Sequence, residues 1–397
     1  ALDSEDAQHL CKKIVEFGPR LTDLSLQFAS GGYDVVRPLL GSRNCSLTAL
    51  RKLTFTDYSS AEEDLPLAIT VFRNTPSLTE VYFHVRRWTL LRSGYWSMPW
   101  NQLTTLTICG RMTIYDFCSI FFQCTQLRAA HLTRIDVEYH RRLDADDWDE
   151  PHVTTFPQLT ELTLQFCGSE EEDHPDISFR DAIDMLELPQ IQALRLAGDP
   201  VHSQPFMEPV RPWVATLHVL CLWDVQVKSE SLLDLLYKCA SLEHLALSLR
   251  DADTAPLLRA LCSNTGNKDP SRAKPLRRLT TLILGYYPCF YVRKEEEFER
   301  AYTELGCAFS DFIAIWIKDS LRAQPFVSAT LLVCDFRGRA MDILVNDMFN
   351  LVRSRLDALA EEIDAARKCQ LVTMTLTEYA ELSRLLGLHN YEEGPSF

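Results

Sequence analysis

The sequence lacks any excess of basic charge. Forty lysines and arginines stand against 55 aspartates and glutamates, for a formal net charge of −15. A basic nucleic-acid footprint is missing on this count, and an anionic membrane surface would repel such a chain. The expected partner is therefore another protein, with neither nucleic acid nor membrane involved. No apolar run approaches the roughly 18 residues a membrane span needs, and no signal peptide opens the chain. Thirteen cysteines are present, yet none are spaced as Cys-x-x-Cys. A disulfide framework or a zinc site would cluster them. Scattered singly, they read as reduced, mostly buried residues of a cytoplasmic or nuclear protein, where the sequon Asn44-Cys45-Ser46 carries no meaning.

Catalytic signatures are missing too. There is no glycine-rich phosphate loop, no Gly-x-Ser-x-Gly elbow and no His-Glu-x-x-His. His140-Arg-Arg-Leu-Asp144 echoes a kinase loop faintly, but the other kinase parts are not there. The ten histidines are dispersed, and no cysteine stands out with a matched histidine. The expectation is a non-enzyme with no cofactor and no metal. Hydrophobic residues at 46% and charged residues at 24% are ordinary for a folded protein. At 397 residues the chain exceeds the usual single core, so it holds either several domains or one repeat array.

One pattern does recur: apolar, two variable, apolar, one variable, apolar. It begins at Leu21, Leu50, Leu78, Leu103, Leu127, Leu159, Ile191, Leu217, Leu242 and Leu279. The clearest copy is Leu159-Thr-Glu-Leu162-Thr-Leu164, and Leu127-Arg-Ala-Ala130-His-Leu132 is weaker. Successive starts lie 29, 28, 25, 24, 32, 32, 26, 25 and 37 residues apart. This is the strand half of a leucine-rich repeat. Each strand should pair in parallel with its neighbours, turn its three apolar residues inward and its alternate residues outward. Between strands, Asp116 to Cys124 and Ser229 to Cys239 have apolar residues three and four apart, as one-sided helices require. Cys124 and Cys239 each stand three residues before a strand and read as buried turn cysteines. Ala7 to Phe17 is helix-like and either caps the array or belongs to an earlier repeat.

The predicted fold is thus α/β, a leucine-rich-repeat solenoid with a curved parallel sheet on its concave face and helices on its convex face. Residues 1–290 carry about ten repeats. Residues 291–397 read as degenerate repeats with long helices that cap the same solenoid; a separate helical domain after residue 290 is the alternative. Glu295 to Leu321 and Met341 to Ala366 favour helix there. Phe326 to Leu331 fits the strand pattern loosely, and Leu371 to Leu376 fits it well.

Outward strand positions are the candidate protein-binding surface: Tyr82, His84, Glu161, Gln165, Val219, Trp223 and His244. Trp223 is either an exposed hot spot beside Val219 or covered by a neighbouring loop. The segment from Arg86 to Gln102 interleaves Trp88, Trp96 and Trp100 with arginines. It suits a protein interface, and packing on the solenoid edge is an equal alternative. The acidic residues from Asp144 to Glu150 and from Glu170 to Asp173 read as a solvated rim, since the spacing of a calcium loop is not there.

The units at Asn74 to Phe83 and Lys238 to Leu247, with Met348 to Arg355, Leu371 to Leu376 and Leu385-Leu-Gly-Leu388, resemble the F-box/leucine-rich-repeat proteins of mushroom-forming fungi. The resemblance spans nearly the whole chain through loose motifs. It implies a substrate receptor whose F-box docks on the Skp adaptor of a cullin ubiquitin ligase. Nothing before Leu21 is long enough to be an F-box, and the chain opens on Ala1 rather than Met, so an F-box is expected upstream. A regulatory or inhibitory scaffold with no ligase link is the alternative.

Overall fold

The computed structural model describes residues 4–28, 46–57, 69–85, 95–136, 153–167, 183–198, 212–223, 229–249, 254–263, 276, 278–286, 295–320, 328–334, 348, 350–355 and 369–374. The chain divides into two compact α/β units, residues 1–190 and 191–397.

The first unit opens with helix α1 (Ser4–Phe17) and strands β1 (Asp23–Phe28), β2 (Lys52–Asp57), β3 (Glu80–Val85) and β4 (Thr105–Thr113). Helix α2 (Ile114–Phe121), β5 (Ala129–Asp136), β6 (Thr154–Thr155), β7 (Glu161–Cys167) and β8 (Leu186–Glu187) follow. Strands β1 to β5 and β7 pair in parallel, in chain order. The register follows the apolar pattern. Leu24, Leu53, Val81, Leu106, Ala130 and Leu162 form one cross-strand row, and all are buried. Leu26, Phe55, Phe83, Ile108, Leu132 and Leu164 form the next. A one-residue slip would send both rows to the opposite face, so burial specifies the register strongly.

Behind the sheet the chain is not uniformly helical. Ile69 bridges Trp96 in parallel, with the Ile69 N–H donating to Tyr95 O at 2.7 Å and Ser97 N–H to Ile69 O at 2.9 Å. Likewise β6 pairs with β8. The start of α2 is well capped. Thr113 Oγ1 accepts from the Asp116 N–H at 3.1 Å and donates to Asp116 Oδ2 at 2.8 Å. This satisfies a backbone donor that the helix itself leaves open.

The second unit contains β9 (Ala193–Ala197), β10 (Val219–Trp223), α3 (Ser229–Lys238), β11 (His244–Leu249) and α4 (Thr254–Ser263). It continues through β12 (Thr281–Tyr286), α5 (Glu295–Ser320), β13 (Ser328–Cys334) and β14 (Cys369–Met374), with helical backbone again at 350–355. These six strands also pair in parallel and in order. Strands β12 and β13, on either side of residue 290, are directly paired. The last strand departs from the expected register. Cys369, not Met374, stands opposite Ala329, and Leu371 stands opposite Leu331. The local Leu-x-x-Met-x-Leu pattern is outweighed by pairing with β13, whose own pattern is loose.

A recurring turn starts the strands. The first residue of the pattern donates its N–H to the carbonyl three residues back, as from Leu78 to Thr75, Leu127 to Cys124, Leu242 to Cys239 and Leu279 to Leu276. The carbonyl of the second residue then accepts two N–H groups from the following strand. Arg51 O accepts from Thr79 N and Glu80 N at 2.9 and 3.0 Å, and Glu243 O accepts from Thr280 N and Thr281 N at 2.8 and 3.1 Å. A threonine at the second position adds a third donor: Thr160 Oγ1 reaches Arg128 O at 3.0 Å and Thr280 Oγ1 reaches Glu243 O at 3.0 Å. In the repeated Leu-Thr dipeptide the hydroxyl so finds an acceptor on the preceding strand, at a carbonyl that already takes two N–H groups.

Candidate functional site

Each sheet buries one face and turns the other away from the apolar rows; the latter is called here the open face. In the first unit its residues fall into rows set by the register. The first row is Asp23, Lys52, Glu80, Thr105, Ala129 and Glu161. Ser25, Thr54, Tyr82, Thr107, His131 and Thr163 form the second, and Gln27, Thr56, His84, Cys109 and Thr133 the third. Exposure falls along β2 to β5, while β1 stays exposed from Asp23 to Gln27. Asp23, Lys52, Glu80 and Glu161 are exposed, whereas Thr56, Cys109 and Thr133 are buried.

Tyr82 is 41% exposed and is the large exposed hydrophobic side chain among the described open-face residues. It stands between Thr54 and Thr107, whose short side chains leave its ring unshielded on both sides. His84 lies two residues on and is partly exposed, and Glu161 and Gln165 sit on β7, exposed and partly exposed. The register therefore places Tyr82, His84, Glu161 and Gln165 on one face, as expected. Trp88 lies outside the described residues.

The tryptophans Trp96 and Trp100 do not belong to an accessible surface. Both are buried, and Trp96 packs against Phe55, Phe83 and Phe72 at centroid distances of 4.8, 4.4 and 6.0 Å. Trp100 lies 6.3 Å from Phe83. Of the alternatives for this segment, packing against the body of the unit holds at these two residues. An aromatic cluster of this kind contributes more from burial than an exposed ring gains from weak contacts.

In the second unit Val219 is partly exposed and His244 exposed, but Trp223 is only 2% exposed. It is not available as an exposed hot spot. The open-face row that holds it runs Ala197, Trp223, Ser248, Gly285. A Cβ added to Gly285 would lie 2.8 Å from Trp223 Cη2, so the indole reaches across β11 to β12. Serine and glycine are the small residues that permit this. Sequence reasoning treated Trp223 apart from its row; the signal was the Ser248 and Gly285 spacing, visible only once the register is known.

Burial makes poor nucleophiles of several described cysteines. Burial pushes the Cys118 and Cys239 thiols up to about 12. Cys221 also rises to about 12 by burial, against a small opposing effect of Arg195. Burial raises Cys109 to about 11 despite a hydrogen bond with Thr133, and it raises Cys124 further. Cys262 reaches about 11 through burial and then the Asp311 charge. Cys11, Cys109, Cys118, Cys124, Cys221, Cys239, Cys262 and Cys307 are free thiols. Cys124 and Cys239 are buried in matching turns, as expected, and Cys124 Sγ donates to Ile120 O at 3.3 Å. Among the described residues no group of three or more His, Cys, Asp or Glu is placed to hold a metal ion. No described helix is long and apolar enough to cross a membrane.

The first-unit open face offers a lattice of charged, hydroxyl and aromatic side chains about 4.8 Å apart across the strands. No family model matches this sequence, and no curated protein matches it.

Proposed function

We propose that the chain is a leucine-rich-repeat solenoid whose open face is its concave side, and that this face in residues 1–190 binds another protein. The observation that carries the reading is Tyr82. An aromatic ring 41% exposed on a rigid parallel sheet, between two threonines, has the character of an interface anchor. Lys52 and Glu80 beside it, and Glu161 three strands away on the same face, supply charges that select a partner without contributing much affinity. The resemblance to fungal F-box/leucine-rich-repeat proteins supports a more particular role, the substrate-recognition part of a Skp–cullin ubiquitin ligase. Free buried thiols suit a cytoplasmic or nuclear setting.

The test is identification of partners by affinity purification, followed by binding of the purified partner to wild type and Tyr82→Ala. Loss of a central aromatic anchor should weaken binding by about 2 kcal/mol, roughly 30-fold. Unchanged affinity would remove Tyr82 from the interface. Trp223→Ala is unsuitable for this purpose, because it would open a cavity. The ligase role is tested separately, by direct binding of the full-length protein to the Skp adaptor; failure there leaves a regulatory scaffold.

A further inference from the structure

Among the described residues β1 pairs on one side only, with β2. Thr22 O accepts from Arg51 N and Lys52 N at 2.7 and 3.0 Å, so the even-numbered residues turn their backbone groups toward β2. Successive residues of a parallel ladder bond to opposite sides, so Asp23, Ser25 and Gln27 point their N–H and C=O groups away from it. Their side chains are exposed as well. The core residues between them keep a trace of exposure. Leu24 is 8% and Leu26 5% exposed, against 0% for Leu53, Phe55, Val81 and Phe83 on the next two strands. An edge covered by the rest of the chain would not leave this gradient.

Open edges are ordinarily blunted by lysine, proline, a bulge or a very short strand. Strand β1 uses none of these. It runs Asp23-Leu-Ser-Leu-Gln-Phe28 and pairs with β2 in unbroken register throughout. Helix α1, which the Gly18–Arg20 turn joins to β1, leaves Val15 and Phe17 42% and 45% exposed. A terminal unit with a polar outer face would expose neither. The strand has one more property. From Asp23 to Gln27 its polarity reads the same in both directions: polar, leucine, serine, leucine, polar.

We infer that β1 is a self-association edge, on which a second copy of this chain pairs its own β1 antiparallel about a two-fold axis through Ser25. Backbone and side chains select that register together. It sets Ser25 against Ser25 of the second copy and Asp23 against Gln27, so all three outward residues of each strand exchange N–H···O bonds. Shifted by two residues, one of the three loses its counterpart within the strand. Shifted by one, leucines stand opposite polar side chains and the outward groups no longer meet. The centred register puts Leu24 against Leu26 on the core face, and on the open face the Gln27 amide can donate to the Asp23 carboxylate. It also keeps like charges apart. Each Asp23 lies four residues from the position facing its counterpart, roughly 14 Å along the strand. That exceeds the screening length of about 8 Å at physiological salt. A contact of identical patches about a two-fold axis closes at the dimer.

The experiment is sedimentation velocity on the full chain, from about 1 to about 200 µM in about 150 mM salt. Wild type should pass from monomer to dimer within that range. Ser25 is exposed on an edge strand, so Ser25→Lys and Ser25→Glu should fold, with melting temperatures near that of wild type. Each sets like charges directly opposite across the axis and should weaken self-association about fivefold. Mixed in equal amounts, the two variants set lysine against glutamate, and the dimer should return to the wild-type level or above. Ser25→Pro removes an outward N–H without taking a hydrogen bond from β2, and should also give monomer. Wild type that stays monomeric overturns the inference. So does growth beyond the dimer, which marks head-to-tail stacking of β1 on a different edge. Dimerisation of any single variant at wild-type affinity overturns it as well. A mixture of the charged variants that stays monomeric does the same, since the axis then does not pass through Ser25.

Discussion

Consider Trp223 and Gly285, which lie two strands apart, about 9.6 Å at ordinary strand spacing. The indole tip occupies the space a Gly285 side chain would need: a Cβ there meets Trp223 Cη2 at 2.8 Å, Ser248 Cβ at 2.9 Å and Ser248 Oγ at 3.0 Å. Gly285→Ala therefore overpacks a buried position, a change that costs about 1–3 kcal/mol. Trp223→Ala removes a buried ring and should cost about 3–5 kcal/mol. The two costs should not add. With the ring gone, only the Ser248 contact opposes a methyl group at position 285, and alanine regains about 0.5–1 kcal/mol of backbone entropy over glycine within a strand. The double variant should thus be more stable than the sum of the singles by about 1–2 kcal/mol. Guanidinium unfolding followed by far-UV circular dichroism on wild type, both singles and the double closes the cycle. Additivity within about 0.5 kcal/mol, the behaviour of independent sites, would refute the claim that the ring rests on Gly285.

Two further outcomes are expected. Thr113→Ala removes the buried cap on α2 and should lower stability by about 1 kcal/mol, measured by the guanidinium midpoint, whereas Thr113→Ser keeps the hydroxyl and should stay close to wild type. The buried thiols also set a pH limit. Cys118, Cys221 and Cys239 hold their protons to about 12 when folded and release them near the ordinary thiol value when unfolded. The folded state then binds more protons, so stability is intact below about pH 8.5 and falls as pH rises toward 12, by up to about 1.4 kcal/mol per unit for each thiol. Denaturant unfolding across pH 8 to 11 checks this, and Cys118→Ala should flatten the slope.

The periodic features of this protein were set by local sequence. Apolar residues at the first, fourth and sixth positions can be buried together only from one side of a strand, so the pattern specified both face and register at those positions within β1 to β5 and β7, and within β9 to β13. The spacing of three and four placed α2 and α3, and the turn ahead of the strands made Cys124 and Cys239 core residues. What local pattern does not carry is the identity of the neighbour across the sheet. Trp223 looks like an anchor beside Val219, and it is buried because Ser248 and Gly285, 25 and 62 residues later, are small. Trp96 is buried because Phe55, Phe72 and Phe83 converge on it. The register of β14 follows its partner strand rather than its own leucines. The register shift at β5 does alter the apolar spacing, with Leu132 and Ile135 three residues apart, but nothing in that spacing foretells the left-handed backbone at Arg134. Sequence determined which residues face the core; only the tertiary structure decided which of the others reach solvent, because that depends on residues brought alongside from distant parts of the chain.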